Sequence, residues 1–276
     1  MSEPDLYAVM GHPVAHSRSP QIHTMFAAEC GQHLRYERRD VPPERFAAEV
    51  GEFFGSGGKG LNITLPHKAS AFRLAGRPTE RARAAGTVNT LWLDRDGTLC
   101  ADNTDGVGLV RDLTVNLGLP IQGRRLLLLG AGGAARGVLL PLLELEPACI
   151  VILNRTNARA DELAAAFALR GPVRSGTVAG LAHDDPYDLV INATAASLGH
   201  DLPVLPVNAI NPHTFCYDMA YGHGGTVFTR WAHGEGAGGA AMGLGMLVEQ
   251  AAEAFYIWRG VRPATAPVLR QLQAEL

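Results

Sequence analysis

Lys68 closes the run Leu61-Asn62-Ile63-Thr64-Leu65-Pro66-His67-Lys68, and proton chemistry is most readily drawn from this stretch. Residues 61–65 alternate apolar and polar, so as a strand they send Asn62 and Thr64 to one face, where both can serve one ligand. Lys68 then falls at the strand's C-terminal end, the edge at which open α/β sheets bind ligands. An ammonium there can donate or accept the proton of a substrate hydroxyl, although a single lysine also reads as surface charge. Asp105, in Asp102-Asn103-Thr104-Asp105-Gly106, precedes a helical stretch from Val107 to Asn116, where Thr104 or Asp105 reads equally as an N-cap. Asn89 shares an alternating face with Leu91 and Leu93 and needs a partner there, either substrate or backbone. Ser17 and Ser19 offer two hydroxyls just before a helix that Pro20 can open, an arrangement suited to a carboxylate or to a plain serine cap. Gln250 borders an apolar helical stripe and can face a ligand or rest as a half-buried amide. His12 and His16 stand four apart, but Pro13 excludes a helix between them and no third ligand is evident, so no metal is expected.

A second chemistry is written into Leu126 to Arg136. The apolar run Leu126-Leu127-Leu128-Leu129 is followed by Gly130-Ala131-Gly132-Gly133-Ala134-Ala135, then by a helical pattern at Val138, Leu139, Leu142 and Leu143. In such a strand, glycine turn and helix, Gly130 permits the tight turn, Gly132 lets backbone approach a pyrophosphate, and Ala135 allows close helix packing. The helix start then offers oriented N–H groups to phosphate. The next strand, Cys149 to Leu153, ends at Asn154-Arg155-Thr156, where an NAD site would carry an acid for the ribose hydroxyls. No acid stands there. Arg155 and Arg159 are four apart, one helical turn, and can converge on a phosphate, so NADP is expected over NAD. The missing acid also weighs against an S-adenosylmethionine methyltransferase.

The elements that must position these residues follow from composition and rhythm. The chain has 276 residues, 47% hydrophobic and 18% charged, enough apolar side chain for one large core or two modest ones. A net charge of −3 argues against a dedicated nucleic-acid binder. The first residues lack the positive start of a secretory signal, and the longest apolar run, Gly236 to Val248, is glycine-rich and stops at Glu249, so a cytoplasmic protein without a membrane span is expected. Four cysteines without a C-x-x-C pair read as reduced structural thiols. Strands are expected at Leu6 to Met10, Leu34 to Val41, Gly60 to Leu65, Val88 to Leu93, Arg125 to Leu129, Cys149 to Leu153, Tyr187 to Asn192 and Phe215 to Met219, mostly alternating with helices in parallel sheets. Leu247, Val248, Ala251, Ala254, Phe255 and Trp258 form a helical apolar stripe, and a last helix runs from about Ala266 to Leu276. A boundary near Asp105 to Asn116 gives two α/β lobes with a ligand cleft.

Taken together these segments resemble the shikimate dehydrogenase family over essentially the whole chain. The resemblance rests on Ser17-x-Ser19, Asn62 to Lys68, Thr87-Val88-Asn89-Thr90, Asn103-Thr104-Asp105-Gly106, the glycine turn, Asn154-Arg155-Thr156, Tyr217-Asp218-Met219 with Tyr221, and Gly243-Leu244-Gly245-Met246 leading to Gln250. It implies an α/β substrate domain of residues 1–106 and 245–276 and a Rossmann-type NADP-binding domain of residues 107–244. It implies reversible NADPH-dependent reduction of 3-dehydroshikimate to shikimate, in the route to chorismate and the aromatic amino acids, by a monomer or homodimer. Ser17, Ser19 and Tyr221 would hold the substrate carboxylate; Asn62, Thr64, Lys68, Asn89, Asp105 and Gln250 would surround the ring hydroxyls. Lys68 and Asp105 would be the catalytic pair. Cofactor contacts would come from Gly130, Ala131, Gly132, Gly133, Ala134, Asn154, Arg155, Thr156, Arg159, Met219 and Gly243. Two departures from the family pattern, Ala195-Ala196-Ser197 and Met242, fall on the cofactor side. A quinate/shikimate dehydrogenase is the nearest alternative, against which Ser19 and Arg155 both lean, and a noncatalytic NADP-binding regulator is another.

Overall fold

The computed structural model describes residues 3–194, 202, 205, 206 and 208–276, and the Ala195-Ala196-Ser197 departure lies outside the described residues. The chain divides into two compact units, one of Met1–Gly108 with Leu247–Gln271, the other of Leu109–Met246 with Leu272–Leu276. The divisions fall two residues beyond the expected 106/107 and 244/245, and the last five residues group with the second unit.

The first unit contains β1 (Asp5–Gly11), α1 (Ser19–Glu29), β2 (Leu34–Asp40), α2 (Phe46–Gly55), β3 (Gly60–Ile63), α3 (Lys68–Leu74), β4 (Arg77–Pro78), α4 (Glu80–Ala85), β5 (Thr90–Leu93) and β6 (Leu99–Asp102), with α5 (Asp105–Arg111) leading out of it. Its sheet runs β2-β1-β3-β5-β6-β4. The expectation of parallel sheets is corrected here for the first unit, because β3–β5 and β5–β6 pair antiparallel. Strand β6 escaped the sequence reading altogether. The turn that makes the β5–β6 hairpin is nevertheless written in Asp94-Arg95-Asp96-Gly97. The Asp94 carboxylate accepts the N–H groups of Asp96 and Thr98, and Gly97 sits at φ +80°, a region that favours glycine. One face of the sheet buries Ala8, Met10, Leu61, Ile63 and Leu91 against Phe46, Val50 and Phe53; the other buries Tyr7, Val9 and Tyr36, with Trp258 packed alongside.

The second unit contains β7 (Arg125–Leu129), α6 (Gly133–Leu143), β8 (Cys149–Leu153), α7 (Asn157–Phe167), β9 (Val173–Gly176), β10 (Leu189–Asn192), β11 (Phe215–Asp218), α8 (Val227–Gly234) and β12 (Gly239–Met242). Its sheet runs β12-β11-β10-β7-β8-β9, entirely parallel, which is the doubly wound order of dinucleotide-binding sheets. Strands covered on both faces read as unbroken apolar runs, and Leu126 to Leu129 and Ile150 to Ile152 are almost wholly buried for that reason. Strands β9 and β12 went unread because Val-Arg-Ser-Gly and Gly-Ala-Ala-Met carry little β-propensity of their own. Helix α9 (Leu244–Arg259) starts in this unit and runs into the first, and α10 (Thr265–Ala274) follows it. Among the described residues no helix is long and apolar enough to cross a membrane.

Candidate active site

Lys68 is the first residue of α3 and stands just beyond the end of β3. Its position is fixed from behind by His67, a buried ring that stacks on Phe46 with centroids 4.4 Å apart and donates through Nε2 to the Val41 carbonyl at 2.7 Å. The Lys68 carbonyl in turn accepts the Val88 N–H at 3.0 Å. The Lys68 ammonium donates to Asp105 Oδ2 at 2.5 Å, with the two side chains 25% and 13% exposed, so both can still meet a ligand.

Asp105 begins α5 directly after Thr104, and the Asp105 N–H is taken by a side chain one residue further back, Asn103, whose Oδ1 accepts it at 3.1 Å. The Asn103 amide also donates to the Thr87 carbonyl and hydroxyl at 3.1 and 3.0 Å. Thr104 belongs to a buried hub around Asn89. The Asn89 amide donates to Asp105 Oδ1 at 2.8 Å and to Thr104 Oγ1 at 2.9 Å, and its carbonyl accepts the Thr104 N–H at 2.9 Å. Gln250, on α9, places Oε1 3.3 Å from the same Asn89 nitrogen, while its own amide donates to the Leu247 carbonyl at 2.8 Å. Asn62 joins from β3 by donating to the Asn89 main-chain carbonyl at 3.1 Å. Lys68, Asp105, Asn89, Gln250 and Asn62 therefore form one hydrogen-bonded cluster within the first unit. Thr64 is half-buried one residue past β3, at the same sheet edge.

Beneath this cluster lies a buried ionic group that the sequence reading did not find. Asp102, 2% exposed at the end of β6, accepts from Thr79 Oγ1 at 2.6 Å and pairs with Arg81. Arg81 also reaches Glu253 on α9 at 3.2 Å, and Arg262 pairs with Glu253 from the other side. The group ties the strand that ends at Asp102 to the helix that carries Gln250.

Ser17 and Ser19 stand at the start of α1, with Pro20 in its first turn; the hydroxyls are 3.2 Å apart, Ser17 Oγ donating to Ser19 Oγ. Tyr221 belongs to the second unit, three residues after β11.

In the second unit Gly130 has φ +105°, and a Cβ there would lie 3.2 Å from the Ala193 carbonyl oxygen. Gly130 N–H donates to the Leu153 carbonyl at 2.8 Å, which brings the glycine turn beside the residues that follow β8. Gly132, Gly133 and Ala134 are exposed at the start of α6, where no side chain caps the helix, and Ala131 is half-buried. The first N–H groups of an eleven-residue helix are thus offered at the C-terminal edge of the sheet, which suits a pyrophosphate. Arg155 and Arg159 are exposed, one before α7 and one in its first turn, and Asn154 shapes their loop by donating to the Thr156 carbonyl at 2.8 Å. Thr156 is the N-cap residue of α7 without a side-chain capping bond. The residues present fit a dinucleotide with an added phosphate.

Met219 and Gly243 come together because β11 and β12 pair in parallel with Asp218 opposite Met242; a Cβ on Gly243 would lie 2.3 Å from the Met219 carbonyl oxygen. Asn192 and Asp218 are loop-shaping groups: the Asn192 carbonyl accepts the Thr194 N–H and hydroxyl at 3.1 and 2.7 Å, and Asp218 accepts the Ala220 N–H at 3.1 Å. Tyr217 is equally structural. Burial, reinforced by the Asp112 charge, pushes its phenol well above the usual tyrosine value, and it donates to Asp112 Oδ2 at 2.6 Å. All four cysteines are free thiols, and among the described residues no group of three or more His, Cys, Asp or Glu side chains can hold a metal ion.

A doubly wound nucleotide-type unit joined in one chain to a mixed α/β unit with an ammonium–carboxylate pair defines a two-unit α/β dehydrogenase. Family models for the shikimate dehydrogenase substrate binding domain, shikimate/quinate 5-dehydrogenase and the shikimate 5'-dehydrogenase C-terminal domain match residues 9–91, 114–200 and 243–273. A shikimate dehydrogenase (NADP(+)) of Methylococcus capsulatus is 53% identical over 275 residues, covering 100% of this chain and 98% of the relative. Among solved structures, an Ael1 enzyme from Pseudomonas putida superposes with a TM-score of 0.92 at 47% identity, covering 97% and 98% of the two chains. Shikimate 5-dehydrogenase from Thermus thermophilus in complex with NADP(H) and shikimate gives a TM-score of 0.87 at 32% identity, covering 99% and 100%. The chain belongs to the shikimate dehydrogenase family.

Proposed function

We propose that the protein is an NADP-dependent oxidoreductase that reversibly reduces 3-dehydroshikimate to shikimate, a step toward chorismate and the aromatic amino acids. The observation that carries this reading is the 2.5 Å Lys68–Asp105 pair, held by Asn89 and assembled from the segments by which the sequence resembles the family. Bound NADPH would supply the hydride to the ketone carbon. The carbonyl oxygen then becomes an alkoxide, which the Lys68–Asp105 pair stabilises and protonates; in the reverse direction the pair takes the hydroxyl proton. An ammonium has three N–H donors, so Lys68 keeps two for substrate after its bond to Asp105.

Asn62, Thr64, Asn89 and Gln250 would receive the ring hydroxyls, and Ser17, Ser19 and Tyr221 the carboxylate. The first unit would thus be the substrate domain and the second the NADP-binding domain. Gly130, Ala131, Gly132, Gly133 and Ala134 would hold the pyrophosphate, Asn154, Arg155, Thr156 and Arg159 the added phosphate, and Met219 and Gly243 the nicotinamide end. The partners on this reading are small molecules and no nucleic acid, and the protein acts in the cytoplasm as a monomer or homodimer. The test is absorbance at the nicotinamide band during shikimate oxidation with NADP or NAD, and with quinate in parallel. Signal with shikimate and NADP is expected; signal only with quinate or NAD transfers the protein to the sister activity, and none in any combination removes the enzymatic reading.

A further inference from the structure

Strand β2 is the edge of the first sheet, and among the described residues its one ladder partner is β1. Alternation places Tyr36, Arg38 and Asp40 on one face, and each reaches a segment at the ligand-binding edge. Tyr36 Oη donates to Asn62 Oδ1 at 2.7 Å, Arg38 donates twice to the Ser17 carbonyl at 2.8 and 2.6 Å, and Asp40 Oδ1 lies 2.6 Å from His12 Nδ1. Two of those three segments carry proposed substrate ligands.

The Tyr36 bond has a consequence for chemistry. An asparagine amide turned end for end exchanges its acceptor for its donors. The Asn89 main-chain carbonyl can only accept, so it takes the Nδ2 end at 3.1 Å, with Thr90 Oγ1 at 3.3 Å, while the Tyr36 O–H donates to the Oδ1 end, and the two contacts agree on one orientation of the amide. The lone pair that remains on Oδ1 is then an acceptor for a substrate hydroxyl. Burial holds the Tyr36 phenol well above the usual tyrosine value, against a smaller lowering by Ser19, so it keeps its proton. Its ring is fixed by a parallel stack on His23, with centroids 4.3 Å apart and planes 6° from parallel.

We propose that Tyr36 is a positioning residue for substrate recognition, its hydroxyl acting with the Asn89 main-chain carbonyl to fix the Asn62 amide so that Asn62 accepts a hydrogen bond from a ring hydroxyl of the substrate. This rests on the shikimate reading of the site. The experiment is steady-state kinetics of wild type, Tyr36→Phe, Asn62→Ala and the double variant with shikimate and NADP, with thermal melts to confirm folding. Phe keeps the stack on His23 and removes only the hydroxyl. The KM for shikimate should rise about tenfold in Tyr36→Phe, with kcat within about threefold and the KM for NADP within about twofold of wild type. In the Asn62→Ala background the same change should add less than about twofold, because its target is gone. Should Tyr36→Phe melt near the assay temperature, shikimate and NADP titrations in the cold make the same comparison. An unchanged shikimate KM, an equal rise in both KM values, or a full effect in the Asn62→Ala background each overturns the proposal. A wild-type protein that does not oxidise shikimate instead removes the reading beneath it.

Discussion

The two units present their functional groups in different ways. In the first, the side chains at the sheet edge satisfy one another: Asn89 alone joins Thr104, Asp105 and Gln250, and Lys68 is held by Asp105. In the second, the corresponding edge offers main-chain N–H groups at an uncapped helix start and exposed arginines beyond β8. A site for reacting atoms gains from fixed geometry, since small misplacement of a proton donor is costly. A site for a long, flexible, charged ligand gains from backbone dipoles and reach. The difference teaches that the first unit concentrates its specificity in buried side chains and the second in turn geometry.

The sharpest way to test that contrast is to remove its centre. Lys68→Ala should lower kcat by roughly a thousandfold with a modest change in KM, measured as initial rates of shikimate oxidation; a near-normal kcat would falsify the catalytic assignment. Next in size, Arg81→Ala leaves Asp102 buried without its cation and should cost about 3 kcal/mol of stability, read as a lower denaturant midpoint. Retention of the wild-type midpoint would show that the ionic group does not support the first unit. In the second unit, Arg155→Ala should weaken NADP selectivity over NAD by about tenfold to a hundredfold, as expected for losing a charge-assisted contact. An unaltered ratio of the two kcat/KM values would move phosphate recognition elsewhere.

The smallest effect concerns His23. Burial pushes its imidazole down to about 3, below the ordinary value of 6.5, so the folded state holds it neutral while the unfolded chain takes up a proton as pH falls below 6.5. Its contribution to stability is therefore complete above about pH 6.5 and declines toward pH 3, with a slope of at most about 1.4 kcal/mol per pH unit. His23→Phe keeps a ring beside Tyr36 without a titrating group, and should show a shallower loss of melting temperature between pH 6.5 and 5 than wild type. Equal slopes would mean that other groups govern acid sensitivity.

The eight strands expected from sequence all occur, most clearly where the apolar pattern is strong: Leu126 to Leu129 is buried on both faces, and Leu61 to Leu65 alternates. The short strands β4, β6, β9 and β12 were not legible, since their pairing comes from neighbours and not from their own residues. The glycine turn was readable because φ +105° at Gly130 favours a residue without Cβ. Thr104 reads only as a cap because a threonine ahead of a helix looks alike whether it caps or not; Asn103 takes the Asp105 N–H, and the Thr104 hydroxyl meets Asn89. The Arg81–Glu253 and Asn89–Gln250 contacts span 172 and 161 residues, and no local pattern encodes them.

By itself, the sequence determined which residue types stand at the ends of which strands: a lysine after an alternating strand, glycines after an apolar one, arginines where an acid would serve NAD. Residue identity and spacing are local quantities, and periodicity carries them through folding. Only the tertiary structure decided which of those groups touch. Asn62 meets Tyr36 on an edge strand and the main chain of Asn89, Lys68 is backed by His67 against Phe46, and the Asp105 N–H is taken by Asn103. Hydrogen bonds between distant segments depend on sheet order and on ångström-scale placement, and the pairing of β3 with β5, antiparallel against expectation, is what brings Asn62 to Asn89.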